Sequence, residues 1–91
     1  MSTVFITGTN KGIGHELARQ YLADGHKVIA TCRDRNRADA LDALLRDHTD
    51  RLQVCEMDLS DVDSLRELAT ELAGQPIDIF INNAGAAVGY T

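Results

Sequence analysis

Three glycines set at fixed offsets are the residues of this chain best placed to do chemistry. In Thr7-Gly8-Thr9-Asn10-Lys11-Gly12-Ile13-Gly14, Gly8 lets the backbone turn sharply, Gly12 leaves room for an anion against the main chain, and Gly14 lets a following helix pack closely on a strand. An anion held there meets the free amide hydrogens and the positive dipole end of that helix. Each charge-assisted hydrogen bond would contribute roughly 1.5–3 kcal/mol. A phosphate loop of the Walker type fits poorly. It needs four residues between its glycines and then Lys-Ser/Thr, whereas three residues separate Gly8 from Gly12, and His15-Glu16 follow Gly14.

Such a loop works only between a strand and a helix, and the flanking residues predict both. Val4-Phe5-Ile6 reads as a strand buried on two faces. Ile13, Leu17, Tyr21 and Leu22 repeat at helical spacing until Asp24-Gly25. Lys27 to Cys32 predicts a second strand. Arg33-Asp34-Arg35-Asn36 is a polar turn in which Asp34 or Asn36 caps a helix carrying Ala38, Leu41, Leu44 and Leu45 on one face. Leu52 to Met57 alternates as an edge strand does. Ser60 reads as the N-cap of a third helix, with Asp61 and Asp63 in its first turn. Val62, Leu65, Leu68, Ala69 and Leu72 form its buried stripe, and Gly74 and Pro76 stop it. Ile77 to Ile81 is a fourth strand, entering Asn82-Asn83-Ala84-Gly85. Strands alternating with helices over short connections imply right-handed crossovers and a parallel sheet, hence one layered α/β domain.

Thr7-Gly8-x-x-x-Gly12-Ile13-Gly14, then Asp58 after the third strand, then Asn82-Asn83-Ala84-Gly85 after the fourth, resemble the short-chain dehydrogenase/reductase family in type and order, over essentially the whole chain. The stretch Gly25 to Asp34 is similar to the small carbonyl-reductase branch related to the C-factor signalling protein. The resemblance implies a Rossmann-type parallel sheet of four strands in order 3-2-1-4, truncated relative to the family, with the first two helices on one face and the third on the other. It implies that Gly8, Asn10, Lys11 and Ile13 line the cofactor phosphates and ribose, alongside Gly12 and Gly14. Asp58 with the backbone of Leu59 would recognise the adenine edge, and Asn83, Ala84 and Gly85 would pass beside the nicotinamide ribose. Asp58 also reads as a residue that caps the next helix, and the asparagine pair as a turn tying strands together.

The choice of dinucleotide rests on the end of the second strand, where an acidic side chain accepts from a ribose 2′-hydroxyl and an arginine grips a 2′-phosphate. Uncharged Cys32 stands at the usual acidic position and Arg33 follows it. Arg33 offers a planar fork and Lys11 a point charge, which favours NADP over NAD. A strand boundary one or two places later would instead bring in Asp34 as an NAD selector.

Family members reduce carbonyls or oxidise alcohols with a tyrosine, a lysine four residues later and a serine. That set is absent here: Gly25 stands four residues after Tyr21, Tyr90 is next to last, the lysines are Lys11 and Lys27, and the serines are Ser2, Ser60 and Ser64. His15, His26 and His48 fall on separate elements without metal-ligand spacing, and Asp61/Asp63 and Glu67/Glu71 read as solvated helix faces. We therefore expect no catalytic and no metal-binding residues in this chain, only the cofactor half of an NADP(H)-dependent oxidoreductase acting on a carbonyl or alcohol. The alternative is a non-catalytic nucleotide-binding or interaction module, the latter self-associating through the open edge of the fourth strand. A flavodoxin-like domain would leave Asp58 and Asn82-Asn83 unexplained.

Composition agrees. The chain has 91 residues, 44% hydrophobic and 25% charged, which describes one ordinary globular unit. A net charge of −5 and four scattered aromatics argue against nucleic acid. No apolar run approaches the roughly 18 residues of a membrane span, and the N-terminus lacks the pattern of a signal peptide. Cys32 and Cys55 are expected as reduced thiols on buried strands, in a cytoplasmic protein.

Overall fold

Residues that are apolar at successive positions can satisfy both faces of a sheet, and the two central strands here do so. In the computed structural model, which describes residues 1–58 and 61–83, β1 (Thr3–Ile6), β2 (Lys27–Cys32), β3 (Leu52–Glu56) and β4 (Ile79–Ile81) form one sheet in the order β3-β2-β1-β4. All pairings are parallel, with Phe5 in register between Ile29 and Phe80. Alternate residues separate into two cores. Val4, Ile6, Val28, Ala30, Cys32 and Leu52 pack with α1 (Gly12–Ala23) and α2 (Asp39–Asp47) through Ala18, Leu22, Leu41 and Leu44. Phe5, Ile29 and Cys55 face the other way, against Leu68 of α3 (Val62–Glu71). Two helices on one face and one on the other is the doubly wound arrangement that the family resemblance implied.

Each helix ends for a local reason. Gly25 takes φ 92° after α1, and the amide of His26 donates to the carbonyl of Tyr21 at 3.1 Å, closing the last turn. Asp34 caps a single 3-10 turn, Arg35–Arg37, by accepting from the amide of Asn36 at 3.0 Å. It does not cap α2, which starts after Ala38 without a side-chain cap. Asp61 rather than Ser60 caps α3, accepting from the amides of Asp63 and Ser64; Ser60 itself lies outside the described residues.

Two expectations about burial and one strand boundary are corrected. Ile13 is 73% exposed, because it sits in the first turn of α1, beyond the end of the sheet. Of the expected α3 stripe only Leu68 is buried, while Val62 is 62% exposed and Ala69 is also exposed. The cause lies in the sheet below, where α3 covers β3 and β2 but leaves β4 open. β4 itself starts at Ile79 rather than Ile77, and Phe80 is 63% exposed on that bare face. Its ring still stacks on Phe5, with centroids 5.2 Å apart.

Candidate dinucleotide-binding site

Parallel strands bring all their C-terminal ends to one edge of the sheet, and ligands of such sheets bind there. The described candidates all gather at that edge. Gly8, Asn10, Lys11, Gly12, Ile13 and Gly14 span the end of β1 and the start of α1. Arg33 follows β2, Asp58 lies just past β3, and Asn83 just past β4. Leu59, Ala84 and Gly85 lie outside the described residues.

The glycine loop is tied down from three sides. The amide of Thr7 donates to the carbonyl of Ile81 at 3.0 Å, and its hydroxyl donates to Oδ1 of Asn82 at 3.0 Å. Thr9 is fully buried, and both its amide (3.1 Å) and its hydroxyl (2.8 Å) donate to the carbonyl of Thr31 on β2. Nδ2 of Asn83 donates to the carbonyl of Gly8 at 3.1 Å. Gly14 packs against this last contact. A Cβ there would collide with the carbonyl oxygen of Gly8 and stand 2.6 Å from Nδ2 of Asn83. Of these anchors, Thr9–Thr31 left no trace in the sequence, since a threonine between glycines reads as ordinary loop polarity.

Gly8 and Gly12 both take φ 65°, a conformation that favours glycine. A Cβ on Gly12 would enter open space at the mouth of α1. That mouth is built differently from the other helix starts. α3 is capped by Asp61, and α2 carries Asp39 and Asp42 in its first turn. α1 has no acidic residue in its first turn, and Lys11 at its N-cap provides no side-chain hydrogen bond. A positive dipole end without a carboxylate, beside a vacant approach at Gly12, fits a diphosphate. His15 turns away from it, with Nε2 lying 3.3 Å from the carbonyl of Ala40.

At the far end, Arg33 and Asp58 meet. Nε of Arg33 lies 3.8 Å from Oδ2 of Asp58, and the arginine side chain is 83% exposed. The amide of Asp58 donates to Oγ of Ser64 at 3.0 Å, which links it to the first turn of α3. The two residues border a cleft whose other walls include Glu67 and Glu71. Asp34, the possible NAD selector, stands past the end of β2 with Oδ1 engaged by the amide of Asn36. Cys32 and Cys55 are free, buried thiols. Burial, with Glu71 alongside, pushes the Cys55 thiol up to about 12.

Among the described residues no group of His, Cys, Asp and Glu is arranged to hold a metal ion, and no helix is long and apolar enough to cross a membrane.

The chain is similar to known dehydrogenases and reductases. Residues 2–90 match the family model of the short chain dehydrogenases. The chain is 35% identical over 88 residues to the NADP-dependent 3-hydroxy acid dehydrogenase YdfG of Shigella flexneri, covering 94% of this chain and 34% of that one. It is 40% identical over 97 residues to retinol dehydrogenase 14 of Mus musculus, covering 91% and 29% respectively. Among solved structures, a carbonyl reductase from Pseudomonas aeruginosa PAO1 in complex with NADP superposes with a TM-score of 0.83 at 33% identity, over 90% of this chain and 37% of that one. The chain thus spans about a third of the length of the curated relatives it matches.

Proposed function

The chain belongs to the short-chain dehydrogenase/reductase family, and on that premise we propose that it forms the NADP-binding N-terminal part of an oxidoreductase interconverting a carbonyl and an alcohol. The observation that carries this reading is the mouth of α1, free of any acidic residue, with Gly12 leaving open approach to its amides. The relative from Shigella flexneri is named as NADP-dependent, and the Pseudomonas aeruginosa neighbour holds NADP.

In the proposed site, the loop from Gly8 to Gly14 holds the diphosphate through backbone amides. Ile13, exposed at the mouth of α1, covers the ribose side, and Asn10 and Lys11 flank the phosphates. Asp58 accepts from the adenine amine while the amide of Leu59 donates to a ring nitrogen. Asn83, Ala84 and Gly85 pass beside the nicotinamide ribose. Arg33 reads the 2′-phosphate. Support for NADP over NAD comes from the end of β2 at Cys32, which leaves Asp34 beyond the strand with an oxygen held by the turn. When bound, the cofactor supplies or accepts the hydride. This chain binds and orients it, and the proton-transferring groups belong to the rest of the fold. The free thiols of Cys32 and Cys55 fit a reducing compartment, as in the cytoplasm.

Calorimetric titration with NADP and with NAD tests the reading. NADP should bind more tightly, and Arg33→Ala should weaken NADP far more than NAD. Equal losses for both cofactors would remove Arg33 from the role, and absence of binding by either would remove the site. The 91-residue chain by itself should consume no NADPH with carbonyl substrates.

One observation favours a second reading. Among the described residues β4 pairs only with β1, and Phe80 is exposed beside it. A self-associating module would use that edge, and would show concentration-dependent mass in sedimentation together with indifference to NADP.

A further inference from the structure

We propose that Asp58 is a positioning residue for Arg33, so that the group reading the adenine also aims the group reading the 2′-phosphate. The inference rests on the cofactor site proposed above and deepens it.

Arg33 is a long side chain, 83% exposed, whose ion pair is with Asp58 at 3.8 Å. A guanidinium so exposed samples many rotamers, and ordering it on a ligand costs entropy. Asp58 is the firmer partner. Its side chain is only 33% exposed, and its amide is held by Oγ of Ser64 on α3. The contact falls on Nε of Arg33, leaving Nη1 and Nη2 for the parallel hydrogen bonds with which arginine grips a phosphate.

The neighbourhood makes such aiming necessary. Arg33 is the only cation among the described residues lining the adjoining cleft, and Glu56, Asp61, Glu67 and Glu71 share its walls. Four further carboxylates on those walls give an untethered guanidinium an acidic surround that does not define one direction. Arg35 is no substitute, since its Nη1 lies 2.8 Å from Oδ1 of Asp42.

Asp58→Asn separates the two duties of this residue. The amide keeps an oxygen to accept from the adenine amine but loses the charge that holds Arg33. Adenine is common to both dinucleotides, so damage to its recognition lowers NADP and NAD affinity alike, whereas loss of aiming lowers NADP alone. The expected result is a fall of about two- to fivefold in the ratio of NADP to NAD affinity, the range for an exposed ion pair. Adding Asp58→Asn to Arg33→Ala should produce no further fall. A ratio unchanged by Asp58→Asn, raised by it, or lowered equally with and without Arg33, overturns the proposal. Failure of the site itself is seen elsewhere, in an unsubstituted protein that does not prefer NADP or in an Arg33→Ala variant that keeps the preference. A cooperative thermal melt of Asp58→Asn with the midpoint of the unsubstituted protein shows that the variant is folded.

Discussion

Asn83 donates its side-chain amide to the main-chain carbonyl of Gly8, across 3.1 Å and 75 positions of sequence. The contact joins the end of β4 to the turn leaving β1, so two neighbouring contributors to the proposed site are tied together. Asn83→Ala removes the donor and leaves a part-buried carbonyl with one partner fewer, a loss of about 1 kcal/mol. Urea unfolding should register that loss. Amide exchange should quicken at residues 8–14 while β2 and β3 keep their protection.

Gly14 stands where a single methyl group would strike both members of that contact. Gly14→Ala forces α1 away from β1, at a cost of about 1–3 kcal/mol as in other overpacked interiors. Dinucleotide affinity should fall together with stability, since the amides of α1 shift with the helix. Thermal melts and calorimetric titration of the same preparation check the pairing of the two effects. By contrast, Gly12→Ala meets no atom within 4 Å, yet its φ of 65° makes it strained.

Asp61 caps α3 through the amides of Asp63 and Ser64. Asp61→Ala should cost about 1 kcal/mol, and fraying the first turn of α3 also loosens Ser64, which holds the amide of Asp58. Denaturant midpoints measure the first effect. A weaker affinity for both dinucleotides, with the larger loss for NADP, measures the second.

Cys55 gives a dependence on alkaline pH. Its thiol lies buried with Sγ 3.5 Å from Oε2 of Glu71, and its pKa rises from 9.0 to about 12. Below pH 9 the thiol is protonated whether the chain is folded or not, so it imposes no penalty. Between 9 and 12 the unfolded chain ionises and the folded one does not, which draws the equilibrium towards unfolding. Stability should therefore fall as pH rises through that window, and the slope should flatten in Cys55→Ala despite its lower stability overall. At pH 8 the native thiol should resist a soluble disulfide reagent and react only as the protein unfolds. Rapid labelling of the native protein would contradict this burial.

Much of this molecule was legible along the chain. β2 runs from Lys27 to Cys32 as read, because five consecutive residues suited to burial precede a charged turn. The parallel sheet followed from alternating elements and short connections, and the order β3-β2-β1-β4 from the family resemblance. The glycine spacing located the mouth of α1, since only the backbone freedom of Gly8 and Gly12 permits that turn. These features depend on neighbours within a few positions, and local chemistry is what a sequence states directly.

Burial along α3 and the pairing of distant side chains were decided by the fold. The helical repeat from Val62 to Leu72 announced an apolar stripe, but how much of it is covered depends on which strands lie beneath it, and only Leu68 is buried. Arg33 finds Asp58, Thr9 finds Thr31, and Asn83 finds Gly8 because parallel strands deliver their C-terminal ends to one edge. Residue types and spacings define the groups a chain can offer, whereas their meeting depends on the crossing of helices over a sheet, which brings together in space what lies far apart in the chain.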